Sequence, residues 1–313
     1  MVMKKLVLIL SVGLAFVSCS NPSSSSRDTD TPSSGEITVA CDESLKPIME
    51  AEEMVFEELY PNAKITMRYM SEYDAIQAMI HDSARMAIVT RELLPAETEV
   101  LNEQHISKAN YHKLGYDAVA FIMNPANKDT SFSLKQIHSL LSGEYTDWKQ
   151  LNANSTLGKI NIVFDSPSSG AIRLLKDSVL KGSDLGKNCF ALKSNPEVIE
   201  YVQKNKNAIG IIGVSWISDT DDIQAKGFLE TVKVAEVEPI LMRLAGITNK
   251  PIQGNIALKQ YPYWRQIKVA SREMRAGLGT GFASFMESEP GQKIILKGGL
   301  VPFRSSIRTI NIN

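Results

Sequence analysis

The segment from Asp165 to Arg173 contains residue types that bind oxyanions. It joins a short apolar run, residues 160–164, to a helix predicted over residues 172–180. The first amides of a helix lack intrahelical acceptors and lie at the positive end of its dipole, and glycine lets an anion approach the backbone closely. The predicted donors are the side chains or amides of Ser168, Ser169, Gly170 and Arg173. Asp165 is expected to orient a donor or accept a ligand proton. A helix-capping loop without a ligand is the alternative.

The elements that must position this segment alternate along the chain. Apolar runs predict strands, and the segments between them have helical patterns. In the first third the predicted strands are 37–40, 64–69 and 86–90, and the predicted helices are 45–59, 72–81 and 97–104. Further along, strands are predicted at 116–123, 160–164, 209–214, 231–237 and 266–270, and helices at 134–141, 172–180, 195–204 and from 281 to 287. This alternation favours an α/β fold with parallel sheets.

The first 35 residues are predicted to be a targeting segment and a tether. Lys4 and Lys5 precede an apolar run, residues 6–17, that ends before Ser18-Cys19. This pattern resembles a bacterial lipoprotein signal over residues 1–19, with Cys19 as the lipidated first residue of the mature chain. An ordinary signal peptide is the alternative, and both predict export. Residues 20–35, rich in serine and proline, are predicted to be a disordered tether.

The composition and motifs exclude few classes but favour none that needs a metal or cofactor. The net charge of -1 gives no electrostatic argument for nucleic-acid binding, and 43% hydrophobic residues indicate a globular protein. Cys41 and Cys189 are expected to be buried free thiols, and the four histidines have no zinc-ligand spacing. No nucleophile elbow, phosphate-binding P-loop or dinucleotide fingerprint is found, so no cofactor is predicted and an enzyme is disfavoured.

Six segments occur in the same order as in a known family of receptors. They are residues 42–44, 85–91, 116–124, 137–148, 165–171 and 208–211. Together they resemble the PstS-like phosphate-binding receptors of ABC importers, which are periplasmic binding proteins of type II. The resemblance spans residues 36–313. It implies an α/β fold with two lobes, each a mostly parallel sheet flanked by helices, joined by two crossover strands.

The resemblance also implies boundaries, a ligand and partners. Lobe 1 would contain residues 36–122 and 266–313, and lobe 2 residues 123–265. Inorganic phosphate or a related oxyanion would bind in the cleft between them, and the receptor would deliver it to an ABC permease in the inner membrane. The implied ligand-binding residues are Ser44, Thr90, Arg91, Asp165, Ser168, Ser169, Gly170 and Arg173. We expect a monomer that faces the periplasm or the cell surface, contacts the membrane only through its lipid anchor and does not bind nucleic acid.

Three departures from the family pattern concern the ligand. Phe164 stands where the family has arginine, and Ala171 stands where it has threonine. Asp42 and Glu43 replace small neutral residues, and carboxylates repel a dianion unless they are protonated or turned away. A receptor of the same fold for another oxyanion or solute, or a sensory or scavenging protein without phosphate transport, therefore stays open. An exported hydrolase is a further alternative.

Overall fold

The computed structural model describes residues 30–106, 109–240 and 246–304. The strands are β1 Gly35–Asp42, β2 Ala63–Met70, β3 Met86–Val89, β4 Asn110–Met123, β5 Ser131–Phe132, β6 Asn161–Phe164, β7 Cys189–Ala191, β8 Ala208–Gly213, β9 Lys233–Val234, β10 Glu236–Val237, β11 Trp264–Ser271 and β12 Val301–Pro302. The α-helices are α1 Lys46–Leu59, α2 Glu72–Ile80, α3 Pro95–Glu103, α4 Leu134–Ser142, α5 Gly170–Ser178, α6 Asn195–Lys204, α7 Ile223–Thr231, α8 Gln253–Ala257, α9 Leu278–Glu287 and α10 Glu289–Lys297.

Most strands of the described residues belong to one large sheet. Its main path runs β2-β1-β3-β11-β4-β8-β6-β7, and β9 and β12 also pair with β4. Strand β1 is parallel to β2 and β3, and β6 is parallel to β7 and β8. Between these parallel groups, β11 and β4 run antiparallel to their neighbours. The mixed α/β fold confirms the predicted fold class.

Strand β4 connects the two parallel groups. Its first part, up to Ala118, pairs with β11, and its last part, from Val119, pairs with β8. Every residue of the predicted strand 116–123 is buried or partly buried, as expected for a strand that is covered on both faces. A single long strand therefore links the parallel group of β1, β2 and β3, through β11, to the parallel group of β6, β7 and β8.

Serine side chains cap the first turns of the helices α2, α4 and α5. The Ser71 hydroxyl accepts a hydrogen bond from the Asp74 amide at 3.2 Å, and Ser133 accepts one from Gln136 at 3.2 Å. Ser169 likewise accepts from Ile172 at the start of α5. An N-cap oxygen satisfies an amide that has no intrahelical acceptor, so it fixes the first turn. The caps at Ser71 and Ser133 agree with the helices predicted to begin at residues 72 and 134.

Some sequence predictions need correction. Helices α7, α8 and α10 were not predicted from the sequence. Residues 1–29, with the predicted signal and most of the tether, lie outside the described residues. The end of that tether is packed on the fold, because Asp30 is buried and its carboxylate accepts a hydrogen bond from the Leu278 amide at 2.8 Å.

The two cysteines outside the signal are both free thiols, as predicted. Cys41 is buried in β1, but Cys189 is only partly buried, so the expectation of two buried thiols is wrong for Cys189. Burial raises the pKa of the Cys189 thiol to about 12. Within the described ranges, no helix is both long enough and apolar enough to span a bilayer.

Candidate functional site

Gly170, the first residue of α5, lies where several elements meet. Its amide donates to Asp42 Oδ2 at 3.0 Å. A Cβ at this position would clash with the carboxylates of Asp42 and Glu72 and with the Thr90 hydroxyl. Only glycine therefore allows the start of α5 to approach these side chains so closely. We call this meeting point, defined by Gly170, Asp42, Glu72 and Thr90, the Gly170 corner.

Glu72, the first residue of α2, accepts hydrogen bonds from two of the residues that the sequence assigned to a ligand, Thr90 and Arg173. Its Oε1 accepts from the Thr90 amide at 2.7 Å and from the Thr90 hydroxyl at 2.6 Å. Its Oε2 accepts from Arg173 Nε. Arg173 Nη2 also donates to Thr90 Oγ1 at 3.0 Å. Arg173 and Thr90 thus meet at one place, and a carboxylate of the protein itself binds both.

The position of Arg173 also explains an electrostatic conflict in the sequence. A cation in the first turn of a helix opposes the helix dipole unless an anion lies near. Glu72 is that anion, and it lies at the N-terminus of another helix, where the dipole favours its negative charge. Although burial acts to raise it, the pKa of Glu72 is lowered by the Arg173 guanidinium and the Thr90 donors.

Asp42 has the opposite electrostatic balance. Its side chain is fully buried, and Oδ1 accepts from the Ser44 amide at 3.1 Å. Burial raises the pKa of Asp42 to about 7, although the nearby Arg265 guanidinium acts to lower it. Arg265 Nη1 lies 3.7 Å from Asp42 Oδ2 but its Nη2 lies 2.6 Å from Asp117 Oδ2. Asp117 therefore takes most of the compensation that Arg265 offers.

Arg265 is a buried cation that the sequence interpretation missed. Its Nη2 donates to the Ser44 hydroxyl at 2.8 Å, so the predicted site residue Ser44 is in contact with it. Ile267 and Val269 are buried on the same face of β11, and this alternation places Arg265 inward. In the sequence, Arg265 alternates with Ile267 and Val269, and this pattern could have predicted a charged side chain on the buried face of the strand. Arg265 and Arg173 are positive charges near the corner, whereas the position before Asp165 holds the buried Phe164.

Glu43, which follows β1 directly, forms a second contact between the end of β1 and the start of a helix, here α6. Its carboxylate accepts hydrogen bonds from the amide and the side chain of Asn195, the first residue of α6. Burial raises the pKa of Glu43 to about 7, even though the Asn195 donors act to lower it. Neither of the two acidic residues that depart from the family pattern is turned toward solvent: each binds the start of a different helix.

The remaining predicted residues take differing positions. Asp165 is buried, burial raises its pKa, and its Oδ1 has no hydrogen-bond partner among the described residues. Ser168 is exposed and its hydroxyl donates to Ser71 at 3.0 Å. Arg91 has both terminal nitrogens on Glu97, at 2.6 and 2.7 Å, and its Nε lies 3.8 Å from Glu72 Oε2. Arg91 thus lies at the edge of the Gly170 corner, and its hydrogen-bond donors are bound mainly by Glu97.

The arrangement has the chemistry of an anion-binding site whose donors are paired internally. It combines helix N-termini, hydroxyl groups, the buried Arg265 and the partly buried Arg173, which are the usual ligands of oxyanions. Among the described residues, no group of three or more His, Cys, Asp or Glu residues is arranged to hold a metal ion. A separate cavity of about 680 Å³, lined by residues such as Val214, Lys233 and Lys250, contains none of the predicted site residues.

The chain is similar to known binding proteins. A family model described as a PBP superfamily domain matches residues 26–290. The phosphate-binding protein PstS of Borreliella burgdorferi is 23% identical over 86% of this chain and 90% of its own length. The phosphate-binding protein PstS of Bacillus subtilis is 21% identical over 95% of this chain and 94% of its own length. These relatives are named as binding proteins and not as enzymes, which agrees with the prediction of a non-enzymatic protein.

Solved structures have the same fold. A putative phosphate ABC transporter substrate-binding protein from Clostridium perfringens, solved with bound phosphate, superposes with a TM-score of 0.71 at 22% identity. It is covered completely, and the match includes 86% of this chain. An ABC-type phosphate transport receptor from Vibrio cholerae gives a TM-score of 0.63 at 22% identity, with the same coverage. The resemblance to PstS-like receptors found in the sequence therefore extends to the fold.

Proposed function

Because the chain belongs to the PBP superfamily, we propose that it is an extracytoplasmic solute-binding protein that captures inorganic phosphate at the Gly170 corner. The observation that carries the proposal is the convergence there of the Thr90 hydroxyl, the Gly170 amide and the Arg173 guanidinium. Gly170 and Arg173 belong to α5 and Thr90 follows β3, and together their donors match an oxyanion with several acceptor atoms. The names of the PstS relatives support phosphate as that oxyanion.

The charge of a bound phosphate would be balanced by Arg173 and Arg265. Arg173 already binds a carboxylate, and Arg265 lies 3.7 Å from Asp42. In the family pattern an arginine precedes the aspartate of the second loop, where this chain has Phe164. The partly buried Arg173 of α5 and the buried Arg265 of β11 supply that charge instead, and Ser44, Ser169 and Asp165 complete the polar lining.

We further propose that the protein is anchored by lipid at Cys19 and delivers its ligand to an ABC importer. Lobes of residues 36–122 plus 266–313 and 123–265 would open about the crossing strands to release the ligand. Metabolic labelling with a fatty acid tests the anchor: the wild-type protein should be labelled and sediment with membranes. Cys19→Ser should abolish both results, and a labelled Cys19→Ser protein would contradict the anchor.

Titration calorimetry of the purified protein with phosphate and sulfate tests the ligand. We expect heat of binding and a rise in melting temperature with phosphate, because a ligand that binds only the native state stabilises it. Sulfate should give a much weaker response, since it cannot donate a proton to Asp165. Neither heat nor a thermal shift at millimolar phosphate would remove phosphate as the ligand.

A receptor of the same fold for another oxyanion or solute, or a sensory protein without phosphate transport, is the second candidate. Asp42 and Glu72 favour it, because their carboxylates already accept from the donors that phosphate would need. The same calorimetry separates the two candidates. Heat with another small oxyanion or a neutral solute, and none with phosphate, would favour the second.

A further inference from the structure

Asp42 is bonded to the donor that an oxyanion most needs at the Gly170 corner. The free amides at a helix N-terminus attract anions, and the Gly170 amide is bonded to Asp42 Oδ2 at 3.0 Å. Asp42 is at the end of β1, whereas Gly170 begins α5, so this carboxylate connects two distant parts of the chain. An external oxyanion and the Asp42 carboxylate therefore need the same donor.

The groups around Asp42 make a second negative charge there unfavourable. On its own element Asp42 neighbours Cys41 and Glu43. The charged or titratable groups that face it or its partners from other elements are Arg265 of β11, Glu72 of α2, Asp165 after β6, Asp117 of β4 and Arg173 of α5. Three of these five are carboxyl groups, and each arginine is already paired with one of them. A dianion placed beside ionised Asp42 would meet strong repulsion at low local dielectric.

Arg265 provides the complementary observation. Its side chain is 1% exposed, and its Nη1 atom has no hydrogen-bond partner among the described residues. This atom lies 3.7 Å from Asp42 Oδ2, on the side of the guanidinium that faces the corner. A buried donor without a partner is unfavourable and favours an acceptor at that place. If Asp42 loses its charge and moves from Gly170, Arg265 Nη1 and the Gly170 amide both become available to one ligand.

We propose that Asp42 is an internal, proton-linked competitor for the oxyanion, and that phosphate binds when Asp42 is protonated and releases the Gly170 amide. This inference rests on the proposed function. The proton comes from solvent or from dihydrogen phosphate, and the Asp42 carboxylate becomes a neutral carboxylic acid that can donate to the ligand. Phosphate remains covalently unchanged.

The pKa of Asp42 places this exchange in the neutral range. Burial raises that pKa to about 7, so Asp42 is mostly protonated at pH 6 and mostly ionised at pH 8. At pH 8, one unit above the pKa, only about a tenth of the molecules have a protonated Asp42, so the apparent phosphate affinity is reduced about tenfold. At pH 6 the reduction nearly disappears. Phosphate itself titrates in the same pH range. The affinity of wild type must therefore be compared, at each pH, with that of a variant that lacks the Asp42 carboxyl group, so that the titration of phosphate affects both equally.

The experiment is titration calorimetry of phosphate at pH 6 and pH 8, each in two buffers with different ionisation enthalpies. The proteins are wild type, Asp42→Asn, which cannot ionise, and Asp184→Asn, which makes the same charge change at a side chain that is 96% exposed. We expect Asp42→Asn to bind phosphate about tenfold more tightly than wild type at pH 8 and about equally at pH 6. Wild type should also take up close to one more proton per phosphate than Asp42→Asn at pH 8. Asp184→Asn should match wild type.

Equal affinities and equal proton uptake in wild type and Asp42→Asn, with phosphate bound by both, would overturn the inference and leave the proposed function intact. No phosphate binding by any of the proteins at either pH would overturn the proposed function as well. Thermal unfolding checks that Asp42→Asn is folded, and Asp42→Ser, which has the small neutral residue of the family pattern, is the second variant. Its affinity at pH 8 should also exceed that of wild type, and an affinity equal to or below wild type would count against the inference.

Discussion

The Asp42 side and the Glu72 side of the Gly170 corner each contain a buried carboxyl group, but their pKa values are shifted in opposite directions. Burial raises the pKa of Asp42 to about 7. Burial also acts to raise the pKa of Glu72, but Arg173 and the Thr90 donors lower it below its ordinary value. The two groups are equally hidden from solvent, so the difference comes from their donors. Glu72 has a guanidinium and two Thr90 hydrogens, whereas Asp42 has two backbone amides and a share of Arg265.

This difference assigns separate roles to the two sides. Ionised Glu72 is a permanent part of the fold, because it binds donors of Thr90, which follows β3, and of Arg173 in α5 at once. Asp42 can be protonated near neutral pH with a smaller loss of stability, because Asp117 continues to neutralise Arg265 when Asp42 is uncharged. Stability should therefore depend mainly on the Glu72 side, and pH-dependent ligand binding mainly on the Asp42 side.

Removing the charge of Glu72 should have the largest effect. Glu72→Gln leaves the guanidinium of Arg173, whose side chain is 26% exposed, beside a neutral group. Breaking such a mostly buried ion pair on one side lowers the free energy of unfolding by about 3–5 kcal/mol. Urea unfolding at pH 7 measures it. Glu200→Gln is the matched control, since it breaks a surface pair with Lys204 and should change stability by less than about 1 kcal/mol. Equal effects of the two substitutions would mean that the Glu72 side does not stabilise the fold.

Glu52 extends the comparison to a buried carboxyl group with no donor. It lies in α1, both of its oxygens lack hydrogen-bond partners among the described residues, and burial raises its pKa to about 9. The native state therefore keeps its proton between pH 4.5 and 9, whereas the unfolded state releases it, so stability falls as the pH rises through that range. Glu52→Gln removes this pH-dependent loss of stability and should stabilise the protein by about 3 kcal/mol at pH 7 and by about 1 kcal/mol at pH 5.

Urea unfolding at the two pH values measures the Glu52 effect. Glu50→Gln is the control on the same helix, because Glu50 is largely exposed and pairs with Lys46 at 3.6 Å. Its substitution should change stability by less than about 1 kcal/mol at either pH. A Glu52→Gln protein whose gain in stability is the same at pH 5 and pH 7 would show that the pKa of Glu52 is the same in the native and the unfolded state.

The two arginines nearest Glu72 should differ in their contribution to ligand binding. Lysine keeps the charge but loses the paired donors of the guanidinium. Arg173→Lys should weaken phosphate binding about tenfold, because Arg173 reaches both Glu72 and Thr90 at the corner. Arg91→Lys should change the affinity less than about threefold, since both Arg91 terminal nitrogens donate to Glu97. Calorimetry with phosphate measures both, and a larger effect of Arg91→Lys would restore Arg91 as the main charged residue of the site.

Much of the fold was predictable because local signals agree with the tertiary structure. The β-branched run before Asp42, the Ser71 cap and the Ser169-Gly170 start of α5 each specify an element boundary from adjacent residues. Helix α10 was missed because it begins directly after α9 at Ser288, without a capping side chain.

The site was only partly predictable because its charges are compensated between residues far apart in sequence. The sequence marks Arg173 as a cation at a helix N-terminus, but its partner Glu72 lies 101 positions away. Arg265 is separated from Asp117 by 148 positions and from Ser44 by 221. No local pattern specifies which arginine will face which carboxylate, so the sequence identified most of the donors and missed the acceptors that bind them.

The smallest expected effect concerns Ala171 on the α5 side of the corner. The family pattern has threonine here, and Ala171 is buried directly after Gly170. Ala171→Thr adds a hydroxyl donor and should strengthen phosphate binding about fivefold, the contribution of a hydrogen bond of about 1 kcal/mol. Ala171→Val is the control, because valine has nearly the shape of threonine without the hydroxyl and separates added hydrogen bonding from added volume. An increase with both variants would assign the effect to packing. A loss with threonine, together with no change for valine, would indicate that the new hydroxyl binds Asp42 or Glu72 and strengthens the internal competitor instead of the ligand.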